Sequence, residues 1–171
     1  MDFFDVVEQR RSTRAFSTRP IEPDKTLALL EAVNRAPSAG NLQAYEVYLV
    51  RNQAVKAALA AAALEQRFIA AAPVVLVFCA HPERAASYGE RGRRLYALQD
   101  ATIACTFAML AATALGLASV WVGAFRTETV RQAVGAAPGL VPVAILPVGY
   151  AAETPRPTSR RPLSELVHEV G

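Results

Sequence analysis

Two groups of arginine residues, one near each end of the chain, have the chemistry of an anion site. The N-terminal group joins three guanidinium groups to a hydroxyl and comprises Arg10, Arg11, Ser12 and Arg14. The C-terminal group lies in a proline-rich stretch and comprises Arg156, Arg160 and Arg161. Guanidinium groups bind phosphate and carboxylate through paired hydrogen bonds, which predicts a site for phosphate or for a polarised oxygen. The alternative for the first group is a solvated helix end, and for the second a basic tail.

A third candidate is a run of small and amide residues that follows a predicted helix. It comprises Pro37, Ser38, Ala39, Gly40, Asn41, Leu42 and Gln43. Small side chains let a ligand approach the backbone closely, and the amides of Asn41 and Gln43 add hydrogen-bond donors and acceptors. Taken alone, the run is also typical of a simple connection between a helix and a strand.

The motifs of several large enzyme classes are absent from the sequence. There is no phosphate-binding loop with Lys and Ser or Thr, no Gly-x-Gly-x-x-Gly after a strand and no Gly-x-Ser-x-Gly. His81 and His168 have no Cys or carboxylate at the spacing of metal ligands, so no metal site is predicted. Cys79 and Cys105 lie in apolar runs and are expected to be buried. If the protein is an enzyme, we expect a bound cofactor to perform the difficult step.

The composition predicts one folded domain over residues 1–171. Hydrophobic residues make up 53% of the chain and charged residues 19%, a balance that argues against disorder. The net charge is only +3 and no long run has one sign, which argues against nucleic-acid binding. The acidic N-terminus lacks the pattern of a signal peptide, so we expect a cytoplasmic protein. Residues 101–125 carry no charge, and for them we expect a buried helix and a buried strand without membrane contact.

Apolar spacing and turn residues predict the order of the elements. Helices are predicted over residues 2–10, 24–36 with Asp24 as its N-cap, 53–72 in two pieces, 95–115, 128–134 and 162–170. Strands are predicted over residues 45–50, 73–80, 118–125 and 141–150, the last at an edge or a bend because of Pro142 and Pro147. The polar residues 81–94 contain two glycines and are predicted to form a mobile loop. This alternation is typical of a layered α/β or α+β domain.

Taken together and in order, these motifs resemble those of the nitroreductase-like family of flavin-dependent oxidoreductases. The resemblance covers almost the whole chain, and it begins with residues 10–14 and 37–43. It continues with residues 66–73 before an apolar strand, with Asp100 at the start of an alanine-rich helix, and with residues 115–117 and 121–125. It ends with residues 146–150, 160–163 and 166–168. Each motif is weak by itself, and their common order makes the resemblance specific.

The resemblance implies a fold, a cofactor and an assembly. The expected fold is an α+β, nitroreductase-like three-layer sandwich with a central, mostly antiparallel sheet flanked by helices. The expected assembly is an intertwined homodimer with FMN at the subunit interface. The residues that the resemblance implies for FMN binding are Arg10, Arg11, Ser12, Arg14, Pro37, Ser38, Ala39, Gly40, Asn41, Gln43, Val122, Gly123, Ala124, Arg160 and Arg161.

The implied roles divide these residues among the parts of the flavin. Residues 10–14 would hold the phosphate, the ribityl chain and the pyrimidine edge, and residues 37–43 would reach the flavin from the partner subunit. Residues 122–124 would lie beneath or beside the ring, while Arg160 and Arg161 would cap the phosphate. The uncharged helix over 101–115 would form the core of the dimer.

The implied activity is that of an FMN-dependent NAD(P)H oxidoreductase. NADH or NADPH would reduce the flavin, and a nitroaromatic, a quinone or a similar small aromatic acceptor would take the electrons in a ping-pong cycle. No side chain is expected to act as acid or base, and Arg11 or Arg14 would stabilise charge at the flavin edge. The alternatives are a related flavoprotein with another reaction (dehalogenation, flavin fragmentation or ring dehydrogenation), a flavin carrier or sensor with little turnover, and an interaction module without a cofactor.

The sequence departs from the family pattern at three places. Phe107 stands where the family often has Asn, and Ala44-Tyr45 stands where Pro-Trp often follows the amide motif. The helical insertion that larger members carry over the flavin is absent, and only residues 81–94 take its place. Four residues of that stretch are candidates for choosing the substrate, with a solvated loop as the alternative: Tyr88, Arg91, Arg93 and Arg94.

Overall fold

A four-stranded antiparallel sheet lies at the centre of the computed structural model, which describes all 171 residues. The strands are β1 (Tyr45–Val50), β2 (Val74–Ala80), β3 (Ala118–Ser119) and β4 (Val141–Gly149), in the order β1-β2-β4-β3 across the sheet. Every neighbouring pair is antiparallel. The strands predicted over 45–50 and 73–80 are confirmed to within one residue, because runs of β-branched and aromatic residues favour extended backbone.

Helices lie on both sides of this sheet. They are α1 (Phe3–Gln9), α2 (Pro23–Asn34), α3 (Gln53–Ala62), α4 (Phe68–Ala71), α5 (Ala97–Ala114), α6 (Thr127–Ala133) and α7 (Leu163–Leu166). In α1 the carboxylates of Asp2 and Asp5 each accept the other residue's backbone N–H at 3.0 Å, which fixes the first turn. Because α2 begins at Pro23, whose fixed φ suits the first helical position, Glu22 precedes the helix. The prediction of Asp24 as N-cap is therefore wrong.

The two faces of the sheet carry separate hydrophobic clusters. Leu76 and Phe78 of β2 pack with residues of α2 and α5, while Val75 and Val77 pack with residues of α3, α4 and α6. Every residue of β2 is buried, as expected of a strand covered on both faces. The predicted α+β sandwich with a mostly antiparallel central sheet is confirmed.

The central helix α5 packs on the sheet through small residues. Ala101, Ala104, Ala108 and Ala112 are fully buried, and their small side chains let the helix approach the strands closely. By length and composition alone, the helical run Pro82–Ala114 is apolar enough to cross a membrane, and 39% of its most apolar window is buried inside the protein. The core helix of a globular domain has the same properties, and the packing of α5 on the sheet is that of such a helix.

The last two strands differ from their predictions. The strand predicted over 118–125 is limited to Ala118–Ser119, and beyond it only Val122 pairs, through a bridge to Ile145. β4 lies between β2 and β3, so the predicted edge position is wrong and the predicted bend is confirmed. The register of the β2–β4 pair shifts between Phe78 and Cys79, so that Cys79 pairs with Pro142. A shift of this kind is a β-bulge, which bends the strand and accommodates the proline.

Residues 82–96, called the connecting segment below, are helical, and the predicted mobile loop over 81–94 is wrong. A 3₁₀ stretch (Pro82–Tyr88), one α turn (Gly89–Arg91) and a π turn (Gly92–Tyr96) lead directly into α5. The turns pack so closely that a Cβ on Gly92 would lie 2.0 Å from the carbonyl oxygen of Ala85. Gly92 therefore permits the compact fold of the segment, although a glycine in a polar stretch is usually a sign of a loop.

The C-terminal arm, residues 151–171, contacts residues 14–16 through Ala151, Ala152 and Glu153 and then leaves the core. Ala151 bridges to Phe16, and every residue from 156 to 171 is exposed. The helix predicted over 162–170 is only Leu163–Leu166. Leu163, Leu166 and Val167 are 74%, 54% and 58% exposed, so the apolar side chains of the arm gain little burial from their own chain.

Candidate functional site

Arg10, near the start of the chain, lies close enough to Arg160, near its end, for their positive charges to interact. Arg10 follows α1 and is partly buried; burial lowers the pKa of its guanidinium, and the positive charges of Arg160 and Arg11 lower it further. The ion pairs of the structure involve four other arginines, so none of the five predicted site arginines has an acidic partner. Guanidinium groups that repel one another and lack a counter-charge are suited to bind an anion.

Arg11 makes contacts that separate it from this pair. Its guanidinium donates to the carbonyl oxygens of Glu8 and Arg10, and the second of these bonds is 3.0 Å long. It borders a cleft beside Glu153, whereas Arg10 borders a different cleft. The structure thus does not direct all the side chains of the N-terminal group to one point.

Ser12 and Arg14 anchor the segment that follows α1. Ser12 forms a bridge with Ser119, and the backbone N–H of Arg14 donates to Oε1 of Glu153 at 2.5 Å. The side chain of Arg14 is exposed and makes no polar contact within the chain. Its guanidinium is therefore free to reach a ligand.

The loop over residues 37–43 is closed by Ser38, whose Oγ accepts the N–H of Gln43 at 3.0 Å. The amide of Gln43 donates to both the carbonyl oxygen and the Oδ1 of Asn41. Glycine is required at position 40, since its φ is 55° and a Cβ would lie 2.5 Å from the hydroxyl oxygen of Tyr88. The loop therefore presents Gly40 and Asn41, both exposed, to solvent.

This loop and Arg10 border two clefts on the same open face of α5. Residues 37–39 border a cleft of about 540 Å³ together with Tyr96 and Thr102. Arg10 borders the second cleft together with Trp121 and the same Thr102. The face continues as a groove with an entirely apolar lining: Phe3, Val6, Ala32, Phe107, Leu110, Ala111 and Ala114. Phe107, the departure from the family pattern, thus belongs to an apolar surface.

The predicted stretch 122–124 lies beside the cleft of Arg10. Val122 is buried and paired with Ile145, while Gly123 and Ala124 are exposed. A Cβ on Gly123 would lie 3.1 Å from Nε1 of Trp121, the residue that borders the cleft. The backbone of 123–124 is therefore accessible, and the side chain of Val122 is not.

The four candidate substrate-choice residues have different surroundings. Tyr88 packs on the loop and stands edge-on to Tyr96, with ring centroids 5.3 Å apart. Arg93 and Arg94 form ion pairs with glutamates of the same segment. Arg91 has no acidic partner, and its Nε donates to the hydroxyl of Tyr96 at 3.2 Å. Of the four, Arg91 keeps an uncompensated charge next to the cleft that Tyr96 borders.

Two residues that were not among the predicted site residues bind the backbone of the loop, Asp100 and Arg84. Asp100 is the one charged residue of α5 and is 1% exposed. The sequence signal for Asp100 is a lone carboxylate in the first turn of an apolar helix, because such a group is buried only where it has hydrogen-bond partners. Nothing in the sequence distinguishes Arg84 from the other arginines of its polar stretch.

Comparison with known proteins decides the family. The sequence model of the nitroreductase family matches residues 7–67 and 61–150, which together span most of the chain. The chain belongs to the nitroreductase family. The resemblance inferred from the motifs is thereby confirmed, and the protein is an oxidoreductase of this family.

Several relatives of this nitroreductase-family protein are similar over nearly its whole length. An NADH dehydrogenase of Thermus thermophilus is 33% identical, covering 93% of this chain and 91% of the relative. An FMN reductase (NAD(P)H) of Bacillus subtilis is 30% identical, covering 93% of this chain and 70% of the relative. The NADPH:FMN oxidoreductase of Vibrio harveyi, solved in complex with NAD⁺, has a TM-score of 0.90 at 24% identity and covers 98% of this chain and 76% of that one. The last comparison confirms the nitroreductase fold.

Proposed function

We propose that this protein is an FMN-dependent NAD(P)H oxidoreductase that reduces a nitroaromatic, a quinone or a similar small aromatic acceptor by a ping-pong mechanism. The observation that carries the proposal is the meeting of Arg10 and Arg160 without an acidic partner, in a chain of the nitroreductase family. The names of the Bacillus subtilis and Vibrio harveyi relatives support a flavin and a nicotinamide as the reactants. FMN as the resident flavin and the class of acceptor are our proposals.

The residues of this chain fit the phosphate end of FMN. A phosphate monoester carries nearly two negative charges at neutral pH, and Arg10, Arg160 and Arg161 offer guanidinium groups without a competing carboxylate. A phosphate bound there would offset the mutual repulsion that contributes to the lowered pKa of Arg10. When bound, FMN supplies the redox chemistry by accepting a hydride from NADH or NADPH and passing electrons to the acceptor in a separate half-reaction.

Arg14 is the better placed of the two candidates for the charged edge of the flavin. Its exposed guanidinium makes no polar contact, whereas that of Arg11 already donates to two backbone carbonyl oxygens. A cation held at this edge would stabilise negative charge on the ring system. Ser12 and the accessible backbone of 123–124 would make the neutral contacts around it.

The open face of α5 and the exposed arm favour a homodimer of single FMN-binding domains, each formed by residues 1–171. The groove along α5 has an entirely apolar lining, and Leu163, Leu166 and Val167 of the arm are exposed. Apolar surfaces of this kind are normally covered in the functional assembly. A second copy would cover both surfaces, and the 37–43 loop of the partner subunit would then complete the FMN site.

The visible absorption spectrum of the purified protein tests this function. We expect a yellow protein that releases FMN in an amount equimolar with the chain when it is denatured. Under anaerobic conditions NADH or NADPH should bleach the flavin absorbance, and a quinone should restore it. A colourless protein that takes up no added FMN would contradict the proposal, and a yellow protein that neither nicotinamide bleaches would indicate a flavin carrier.

A further inference from the structure

The 37–43 loop has a backbone conformation that requires support from outside the loop. Gly40, Asn41 and Gln43 all lie in the left-handed region, with φ of 55°, 56° and 48°. Asn tolerates this region because of its short polar side chain, but for Gln43 it is unfavourable and persists only where the surrounding structure holds it. Within the loop, Ser38 Oγ accepts the N–H of Gln43, the side-chain amide of Gln43 binds Asn41, and two backbone bonds form a turn. None of these bonds uses the N–H of Ala39 or the carbonyl oxygen of Leu42.

Asp100 holds the N–H groups at the two ends of the left-handed stretch. Its Oδ1 accepts the N–H of Ala39 at 3.0 Å, and its Oδ2 accepts the N–H of Ala44 at 3.2 Å. Asp100 is 1% exposed; its bond to Ala44 is buried, and its bond to Ala39, at the edge of the first cleft, is partly buried. A charged acceptor that is shielded from solvent binds strongly. Because Asp100 belongs to the first turn of α5, the loop is fixed to the most extensively buried helix of the protein.

Arg84 holds the carbonyl groups on the other side of the same stretch. Its Nε donates to the carbonyl oxygens of Leu42 and Gln43 at 3.1 Å each, and its Nη2 donates to Leu42 again at 3.0 Å. Arg84 makes no ion pair, so its donors serve the loop. An anion therefore binds the N–H groups of the loop and a cation binds its carbonyl groups.

We propose that Asp100 and Arg84 are positioning residues that fix the 37–43 loop in the conformation that binds the flavin of the partner subunit. The proposal rests on the function proposed above. Neither residue needs to contact the ligand, because each acts through the backbone that presents Gly40 and Asn41. Holding the loop in advance removes an ordering cost that would otherwise weaken binding.

Two variants remove the loop contacts of Asp100 and of Arg84 separately. In Asp100→Asn one carboxylate oxygen becomes an NH₂ group that faces a backbone N–H, and in Arg84→Gln the three bonds to carbonyl groups are lost. The matched controls are Asp24→Asn, an exposed acid of α2, and Arg94→Gln, which belongs to the same segment as Arg84 and pairs with Glu90. Arg84→Lys keeps a cation and should restore part of the effect. Circular dichroism and light scattering establish that each variant keeps its fold and its oligomeric state.

Amide hydrogen exchange of residues 38–44, measured without FMN, and the dissociation constant of FMN, measured by fluorescence titration, are the readouts. We expect faster exchange in Asp100→Asn and Arg84→Gln, with FMN affinity weakened on the order of tenfold, since bonds to charged groups are lost.

Unchanged exchange in folded Arg84→Gln would overturn the proposal, even if Asp100→Asn fails to fold. Faster exchange with unchanged FMN affinity would also overturn it, because the bonds from Asp100 and Arg84 would then stabilise the loop without affecting flavin binding. A wild-type protein that does not bind FMN at all would overturn the proposed function and this role with it, and only that outcome affects both.

Discussion

Tyr150 joins charged residues from the N-terminal part of the chain to the end of β4. Its hydroxyl donates to Oε2 of Glu22 at 2.6 Å and accepts from Nζ of Lys25 at 2.9 Å. The guanidinium of Arg19 lies 4.0 Å from the centre of the Tyr150 ring and pairs with Glu22. The hydrogen bond from Tyr150 is the main reason that the pKa of Glu22 falls to about 2. The cluster fixes the start of α2, the helix that leads to the 37–43 loop.

The lowered pKa of Glu22 predicts a pH dependence of stability. The native contacts favour the carboxylate, so their stabilisation is complete above the ordinary pKa near 4.5 and is lost as the pH falls toward 2. The free energy of unfolding of the wild type should therefore fall more steeply between pH 4.5 and pH 2 than that of Glu22→Gln. Urea titrations at several pH values measure this difference. Glu31→Gln, which changes an exposed acid of α2, should follow the wild type, and parallel curves for wild type and Glu22→Gln would refute the prediction.

Some residues of the candidate site could be predicted from the sequence and others could not. Arginines near both chain ends predicted an anion site, and Arg160 lies near enough to Arg10 to lower its pKa. Their role in binding FMN stays a prediction. Arg11 was not separable from Arg10 in the sequence, since its bonds to Glu8 and Arg10 depend on where α1 ends. Arg84 was hidden for a similar reason: its partners are carbonyl groups about forty residues earlier in the chain, and no side-chain pattern marks them.

Among the elements, the connecting segment shows most clearly why glycine misled the sequence prediction. Glycine is frequent in loops, but Gly92 is buried in a π turn where the neighbouring turn leaves no space for a side chain. By contrast, β1 was predicted with its exact bounds, because its apolar and aromatic residues lie between clear turn residues. Local pattern thus predicted β1, whereas tertiary packing decided the fold of the connecting segment.

A side chain at position 92 should damage the segment that carries Arg84 and Tyr96. In Gly92→Ala the Cβ would lie 2.0 Å from the carbonyl oxygen of Ala85 and 2.7 Å from Cβ of Tyr88, so the backbone must move. We expect a loss of about 1–3 kcal/mol in the free energy of unfolding, as for other overpacked sites. Urea denaturation measures the loss, with Ser87→Ala, an exposed change in the same segment, as the control. A Gly92→Ala protein as stable as that control would show that the segment accommodates a side chain.

In the molecule as a whole, the candidate site exists only because distant parts of the chain converge. Residues 10–14 follow the first helix, Arg160 lies in the C-terminal arm, and the 37–43 loop borders a cleft on α5 that shares Thr102 with the cleft of Arg10. The layered fold was predictable from the alternation of helices and strands, whereas the convergence was implied only by the family resemblance. The uncovered apolar surfaces of α5 and the arm support the proposed homodimer, in which a second copy would cover them.

The most direct test of the proposed FMN site is the dissociation constant of FMN for wild type, Arg10→Ala and Arg51→Ala, measured by fluorescence titration. Arg51→Ala is the control, because it removes an exposed arginine after β1 that lies outside the site. We expect Arg10→Ala to weaken FMN binding on the order of tenfold or more, since a charged hydrogen bond to the phosphate is lost, and Arg51→Ala to bind as the wild type does. An Arg10→Ala protein with the size of the wild type in light scattering and the same affinity for FMN would contradict the assignment of the phosphate to Arg10 and Arg160.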